Sequence, residues 1–162
     1  MEEIRAGLEP PRFEDRKAFQ VAGLVERYKM PAIEGIPSQW QRFAPHIGKI
    51  PGQVGWTCYG VCFNFDDTGN MDYLCGVEVV ADSEPPAGLS LLRIEEQRYA
   101  VFSHRGHISK IANTWNDIVI QWLPASGYTA IKAPQFETYG QDFDSRTGNG
   151  VVEIWIPIEQ PT

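Results

Sequence analysis

Long apolar segments, basic clusters and a signal-like start are all absent from this sequence. No apolar run reaches the about 18 residues that a membrane-spanning helix needs. The first residues are acidic and contain proline, unlike the basic and then apolar order of a signal peptide, so a cytoplasmic location is expected. Only 14 lysines and arginines stand against 21 acidic residues, which leaves a net charge of −7. Since DNA phosphates bind clustered basic side chains, direct DNA binding is not expected.

Cysteine and histidine are scarce, with three of each. An odd number of cysteines without paired spacings is typical of buried thiols in a cytoplasmic protein rather than of a disulfide framework. No G-x-S-x-G motif accompanies the histidines, which argues against a catalytic triad. His104 and His107 could present two imidazoles, but a zinc site needs four ligands and no second pair lies nearby. The segment is therefore predicted to be a solvated turn, and no metal or cofactor is expected.

A repeated pattern of residues divides the chain into two halves. The pair Tyr59-Gly60 and the later triplet Thr68-Gly69-Asn70 recur as Tyr139-Gly140 and Thr147-Gly148-Asn149. The copies are offset by 80 residues, and one of them carries a single extra residue. The same offset aligns Phe19 with Tyr99. We interpret the chain as one domain, residues 1–162, built from two pseudo-repeats at about 16–82 and 88–158.

Each half is predicted to fold as a strand, a helix and a β-hairpin. The predicted first strands cover about 16–29 and 89–104, and the predicted helices cover 36–48 and 107–125. Apolar residues three and four apart mark one face of each helix. The hairpins turn at segments rich in Asp, Gly and Asn, which tolerate positive φ. The expected fold class is α+β, with one antiparallel sheet of six strands, two helices on one face and a central cleft between them.

Aromatic residues and isolated carboxylates are the candidate binding residues. Aromatic side chains make up 12% of the chain, and several glutamates stand within otherwise apolar strands. The candidates on the helices are Trp40, Phe43 and Trp115, and those on the strands are Tyr59 and Tyr139, taken as repeat equivalents, together with Trp155, Glu78, Glu137 and Glu153.

The position of Glu153 depends on which face of its strand meets the helices. Strand alternation places Glu153 and Trp155 on one face and Ile154 on the other. If the face of Glu153 meets the helices, a carboxylate lies beside an indole ring in the cleft, an arrangement suited to a cation. If the other face meets the helices, Glu153 is a solvated strand residue.

Four segments resemble the GyrI-like, AraC-type effector-binding domains of bacterial transcription regulators. They are RYAVFSHRG (98–106), TWNDIVIQWLPASGY (114–128), FETYGQDFD (136–144) and VEIWIPI (152–158), and the similarity extends from about residue 17 to 158. The resemblance implies a duplicated strand–helix–hairpin fold whose central cleft binds hydrophobic, often cationic drugs with aromatic walls and a buried glutamate. The position that best matches this glutamate is Glu153, and the remaining ligand-binding candidates are Trp115, Tyr139, Tyr59, Trp40, Trp155, Phe43, Glu78 and Glu137.

The resemblance favours a ligand-binding module over an enzyme. The acidic N-terminal stretch contains no helix-turn-helix, so we expect a stand-alone module of the kind found in mobile gene cassettes, working as a homodimer or with a separate DNA-binding regulator. Some proteins of this kind resemble hydrolases of toxic electrophiles, for which Glu153 with Tyr59 or Tyr139 would be the catalytic pair. A gyrase-inhibitor-like interaction protein is the third hypothesis.

Overall fold

The computed structural model describes residues 8–160, which form nine strands and two helical segments. The strands are β1 (Arg12–Arg16), β2 (Phe19–Lys29), β3 (Gln53–Phe63), β4 (Asn70–Val79), β5 (Ser90–Ile94), β6 (Gln97–His107), β7 (Thr129–Ala130), β8 (Gln135–Asp144) and β9 (Asn149–Glu159). The first helical segment is α1 (Ile36–Phe43) with a 3₁₀ turn, Ala44–His46. The second runs through a 3₁₀ turn (Ile108–Lys110), α2 (Ile111–Asn116), a π-helical stretch (Asp117–Trp122) and α3 (Leu123–Ser126).

The strands form one antiparallel sheet in the order β1-β6-β9-β8-β3-β4-β2-β5, and β7 pairs with the end of β9. When each strand is exchanged for its counterpart in the other half, the same order results, read from the opposite edge of the sheet. The counterparts are β1 and β5, β2 and β6, β3 and β8, and β4 and β9. Duplication predicts this symmetry. The α+β class and the single antiparallel sheet are confirmed. The expected number of six strands is too low, because β1 and β7 were not predicted and the segment 89–104 is divided into β5 and β6.

Both helical segments lie on the same face of the sheet, as predicted. The ladder pairs Ile154 with Glu137, Glu137 with Gly60, and Gly60 with Cys75, so these four positions share one face. Ile154 packs against the second helical segment, and Cys75 packs against α1. We call this side of the sheet the helix face. No helix within residues 8–160 is long and apolar enough to cross a membrane.

The opposite side of the sheet, here the helix-free face, has its own apolar core. Its buried residues include Phe19, Tyr59, Leu74, Phe136 and Trp155. They are shielded from solvent although both helical segments pack elsewhere, because the sheet curls around them. The chain therefore has two separate interiors, one on each side of a single layer of strands.

The first helix is shorter than the sequence predicts, and a buried amide fixes it to the sheet. The prediction of 36–48 is wrong at its C-terminal end, since α1 ends at Phe43 and Pro45 has no N–H with which to continue the helix. Gln39 is fully buried, and its Nε2 donates to the carbonyl oxygens of Leu24 and Tyr73, each at 2.9 Å. The amide thus connects α1 to both β2 and β4.

The histidine pair does not form the solvated turn that was predicted. β6 continues to His107, and the side chain of His104 is buried with only 4% of its surface exposed. Its Nδ1 lies 2.7 Å from Thr114 Oγ1, and its Nε2 lies 3.0 Å from the carbonyl oxygen of His107. His107 Nδ1 accepts from the backbone N–H of Ser109 and caps the following turn. Within residues 8–160 no cluster of three or more His, Cys, Asp or Glu side chains could hold a metal.

Candidate functional site

A carboxylate lies on the helix face where the two halves of the sheet meet. Glu137 is on β8 opposite Gly60 of β3, and it is half-buried. Its Oε2 accepts a hydrogen bond of 2.6 Å from the indole N–H of Trp115, and its Oε1 accepts one of 2.5 Å from the hydroxyl of Tyr139. A side chain from α2 and one from the sheet therefore orient the same carboxylate.

The first helix contributes the other aromatic wall. The indole Nε1 of Trp40 donates to the hydroxyl of Tyr73 at 2.9 Å. The rings of Trp40 and Tyr139 meet edge to face with centroids 5.3 Å apart. Trp40 thus continues the aromatic surface that begins at Trp115 on the second helical segment. Side chains from both helical segments thus meet around Glu137 on the helix face, and we call the region that they border the cleft.

A glycine makes room for this arrangement. A Cβ added at Gly60 would lie 2.3 Å from the hydroxyl oxygen of Tyr73, so any other residue would displace that ring. Because the Tyr73 hydroxyl holds Trp40, the absence of a side chain at Gly60 also determines where Trp40 lies. Gly60 is the direct ladder neighbour of Glu137, and the Tyr73 ring occupies the space above it.

Burial controls the ionisation of the cleft. Desolvation raises the pKa of Glu137 above its ordinary value, against the opposing effects of the Tyr139 and Trp115 hydrogen bonds and the charge of His104. Desolvation, reinforced by the negative charge of Glu137, raises the pKa values of Tyr139 and Tyr73 well above that of free tyrosine. Both phenols therefore remain protonated donors. Glu137 therefore lies beside phenols that remain neutral.

The structure divides the predicted site residues between the two faces. Trp40, Trp115, Tyr139 and Glu137 come together in the cleft, and Phe43 packs edge-on behind Trp40. The other predicted residues lie on the helix-free face, namely Tyr59, Glu78, Glu153 and Trp155.

The prediction that Glu153 lies between the helices is wrong. Its ladder neighbours are Thr138 and Ser103, and its face is that of Trp155, which belongs to the helix-free core. Instead of facing Trp115, the carboxylate is paired with Arg12, whose Nη1 and Nη2 donate to its two oxygens at 2.9 and 3.3 Å. The apolar residues beside it, such as Ile154, meet the helices and decide the orientation of the strand.

The interpretation of Tyr59 and Tyr139 as structural equivalents is also wrong. Tyr59 pairs with Thr138 in the ladder, whereas Tyr139 pairs with Cys58, so the two tyrosines point to opposite faces. A shift of one residue reverses the side-chain direction in a strand, and the extra residue in one copy has this effect. Tyr59 instead accepts a hydrogen bond of 3.1 Å from Arg16, which also pairs with Glu78 at 3.0 Å.

Sequence reasoning missed two kinds of residue. Gly60 shapes the cleft and belongs to the repeated Tyr-Gly pair, but that pair indicated a repeat and not a site. Tyr73 also shapes the cleft, and nothing in the local pattern distinguishes it from an ordinary strand residue. Arg12 and Arg16 neutralise the acids of the helix-free face from β1, a strand that was not predicted. RFEDR carries neither the apolar alternation nor the β-branched residues that signal a strand.

The fold is an antiparallel sheet with two helical segments on one face, and aromatic side chains from both segments surround one carboxylate of the sheet. The family described as the GyrI-like small molecule binding domain matches residues 9–159, and the chain belongs to this family.

Among curated proteins, the transcriptional regulator BrlR of Pseudomonas aeruginosa is 31% identical over 149 residues. The match covers 91% of this chain and 54% of BrlR, so the chain spans about half the length of that relative.

Two solved structures share the fold over nearly the whole chain. The structure of SAV2435 bound to tetraphenylphosphonium has a TM-score of 0.74 at 22% identity, covering 93% of this chain and 94% of that one. The integron cassette protein VCH_CASS2 from Vibrio cholerae has a TM-score of 0.70 at 20% identity, covering 94% and 98%. These likenesses establish the architecture, and the family match establishes the class of small-molecule binding domain.

Proposed function

We propose that the chain binds a hydrophobic cation in the cleft between its helical segments, with Glu137 as the charged anchor. The observation that carries the proposal is a half-buried carboxylate held by Trp115 and Tyr139, with the Trp40 ring against that of Tyr139. Glu137 takes the role that the sequence analysis assigned to Glu153.

The chemistry of this carboxylate favours a cationic ligand. Each oxygen of Glu137 accepts one hydrogen bond from the protein, which leaves further acceptor positions on both. A desolvated negative charge without a cationic partner is costly, and burial has already raised the pKa of Glu137. An organic cation would neutralise the charge without restoring water to the cleft. The rings of Trp40 and Tyr139 would also attract it through their electron-rich faces.

A related protein supports this class of ligand. SAV2435, which shares the fold, has a solved structure bound to tetraphenylphosphonium, a large apolar cation. Its four phenyl groups suit the aromatic side chains of the cleft, and its single positive charge suits the carboxylate among them. Tetraphenylphosphonium is therefore the first probe to use.

The test compares identical substitutions on the two faces. Binding of tetraphenylphosphonium to the parent, Glu137→Gln and Glu153→Gln is measured by isothermal titration calorimetry. Removing a charge-assisted contact costs about 1.5–3 kcal/mol, or about 10- to 150-fold in affinity. We expect that loss for Glu137→Gln and less than about a twofold change for the matched control Glu153→Gln. Tetraphenylborate, which has the same shape and the opposite charge, should bind the parent far more weakly than the phosphonium.

Two results would contradict the proposal. One is equal affinity of the phosphonium for the parent and Glu137→Gln, which would show that the carboxylate is not the anchor. The other is a large loss of phosphonium affinity in Glu153→Gln alone, which would show that the ligand binds on the helix-free face.

The proposed role is binding without turnover. Of the two catalytic pairs considered from the sequence, Glu153 and Tyr139 are separated by the sheet. Glu153 and Tyr59 lie on the same face and border one cavity, where Arg12 donates to Glu153 and Arg16 donates to Tyr59. Glu137 and Tyr139 are adjacent, but the raised pKa of Tyr139 makes the phenol a poor proton donor to a leaving group. Turnover of a strained electrophile such as an activated cyclopropane by the parent, with loss of turnover in Glu137→Gln, would replace this proposal with the hydrolase hypothesis.

A further inference from the structure

A buried histidine lies on the helix face, in the row of residues next to that of Glu137. In the ladder His104 of β6 pairs with Val152 of β9, and Val152 pairs with Tyr139 of β8. Because paired positions share a face, the imidazole of His104 lies in one row with Tyr139, two positions from Glu137 along β8. Burial of a side chain with two polar nitrogens is costly unless both nitrogens have hydrogen-bond partners.

Both ring nitrogens of His104 have such partners, and the partners determine the tautomer. The carbonyl oxygen of His107 can only accept, so Nε2, which lies 3.0 Å from it, carries the proton. Nδ1 of the neutral ring is then an acceptor, and the Thr114 hydroxyl donates to it at 2.7 Å. Thr114 is buried as well. The ring thus connects β6 to α2 and also holds the residue that caps the second helical segment.

Two hydrogen bonds to the sheet hold α2 in its rotation about the helix axis. The helix has six residues and lies between a 3₁₀ turn and a π-helical stretch, so no long regular helix sets the direction of its side chains. One bond joins Thr114 to His104, and the other joins Trp115 to Glu137. Consecutive helix residues are about 100° apart around the axis, so the two bonds act on two different sides of α2.

A small rotation of α2 would break the contact between its indole and the carboxylate. For side-chain atoms about 6 Å from the axis, a rotation of about 10° gives a displacement of about 1 Å. The distance of 2.6 Å between the Trp115 nitrogen and Glu137 Oε2 would then increase to as much as about 3.6 Å, which is no longer a hydrogen bond. The short, buried bond between Thr114 and His104 opposes this rotation.

We propose that His104 is a positioning residue for the cleft, which holds Thr114 and thereby keeps the Trp115 indole on Glu137. The consequence for cation affinity rests on the proposed function, whereas the positioning itself can be measured without a ligand. A role in core packing alone would make other demands on the sequence. It would require the volume of the two side chains, but neither the acceptor at Nδ1 of His104 nor the hydroxyl of Thr114.

The test compares two substitutions of Thr114 that differ in the hydroxyl. Thr114→Val keeps the shape and removes the donor, whereas Thr114→Ser keeps the donor and removes a methyl group. The indole N–H of Trp115 is followed in two-dimensional NMR spectra of the ¹⁵N-labelled protein without ligand, and it is assigned with Trp115→Phe.

The two variants should differ at this indole and nowhere else among the bonded indoles. In Thr114→Val we expect the Trp115 indole proton to move upfield and to exchange with solvent at least about fivefold faster than in the parent. In Thr114→Ser its position should be that of the parent, with an exchange rate within about twofold. The indole of Trp40, which α1 holds on Tyr73, is the internal control and should be unchanged in both variants.

A second pair of variants makes the same comparison at the other end of the bond. In His104→Asn the Oδ1 atom takes the place of Nδ1 and can accept from Thr114. In His104→Gln the amide reaches toward the His107 carbonyl and leaves no acceptor at the Nδ1 position. We expect His104→Asn to preserve the Trp115 signal and His104→Gln to shift it as Thr114→Val does. Combining His104→Gln with Thr114→Val should add nothing further, because both act on one hydrogen bond.

Calorimetric titration with tetraphenylphosphonium connects the positioning to the cleft. Thr114→Val and His104→Gln should bind it at least about fivefold more weakly than the parent, and Thr114→Ser and His104→Asn within about twofold of the parent. A parent that does not bind the phosphonium would refute the proposed function, and the NMR comparison would still decide the role of His104.

The proposal is overturned if Thr114→Val is folded and retains the Trp115 signal and exchange rate of the parent. It is also overturned if Thr114→Val and Thr114→Ser shift the Trp115 indole equally, or if the Trp40 indole shifts with it, since either result would show a general loss of packing. If Thr114→Val does not fold, His104→Asn and His104→Gln decide by the same criteria, and equal Trp115 signals in these two would overturn the proposal.

Discussion

Replacing Glu137 by glutamine is expected to separate ligand binding from folding stability. The carboxylate lies half-buried between Trp115 and Tyr139, and burial raises its pKa. Glutamine has the same shape, and its amide can accept from the indole and donate to the phenol oxygen. The substitution therefore removes a desolvated charge and little else. We expect the variant to be more stable than the parent at neutral pH and to lose affinity for organic cations.

The sign and size of the stability change follow from the direction of the pKa change. The pKa of Glu137 is higher in the folded protein than the value of about 4.3 in an unfolded chain. The folded state then binds more protons, so stability falls as the pH rises from the unfolded pKa through the folded one. Above that pH range the parent is less stable than the variant by about 1.4 kcal/mol for each unit by which folding raises the pKa of Glu137. In a protein of this size each unit corresponds to about 3–5 °C in Tm.

Thermal unfolding of both proteins across acidic and neutral pH measures this effect. The variant should melt higher at neutral pH, and the difference should disappear as the pH falls below the unfolded pKa. Cation affinity should change in the opposite sense, since a proton and the ligand compete for one carboxylate. In the parent it should fall about tenfold per pH unit below the folded pKa, and in the variant it should not depend on pH. Equal Tm values at every pH, or a parent affinity that ignores pH in this window, would refute the reasoning.

Three further predictions concern the fold, the cleft wall and the surface charge. Gln39→Leu leaves the carbonyl oxygens of Leu24 and Tyr73 without their side-chain donor, and should lower the free energy of unfolding in urea by about 2–4 kcal/mol; a change below about 0.5 kcal/mol would show that the amide is dispensable. Gly60→Ala should displace Tyr73, release Trp40 and weaken phosphonium binding at least about fivefold, whereas unchanged calorimetric affinity would exclude Trp40 from the site. The net charge of −7 predicts no duplex DNA binding at physiological salt, and a salt-sensitive gel shift at micromolar protein would contradict this.

Much of the fold could be predicted because its signals are local. The apolar stripe through Ile111, Trp115 and Ile118 predicted the second helical segment, which the structure places at 108–126 in 3₁₀, α and π turns. The repeated turn triplets marked both hairpins. β1 was missed because it is a short strand with five charged or exposed positions. Its place beside β6 depends on residues far along the chain, since Glu14 at the middle of β1 pairs with Tyr99, 85 residues later.

The sequence by itself determined the duplicated plan, the family, the aromatic walls at Trp40 and Trp115, and the presence of carboxylates in apolar strands. It could not decide which carboxylate belongs to the cleft. Alternation shows that Glu153 and Ile154 face opposite ways, but which side meets the helices depends on contacts between residues far apart in the chain. Tertiary packing buries Ile154 under the second helical segment. Glu153 therefore faces the other side of the sheet, where it pairs with Arg12, and Glu137 lies beneath Trp115.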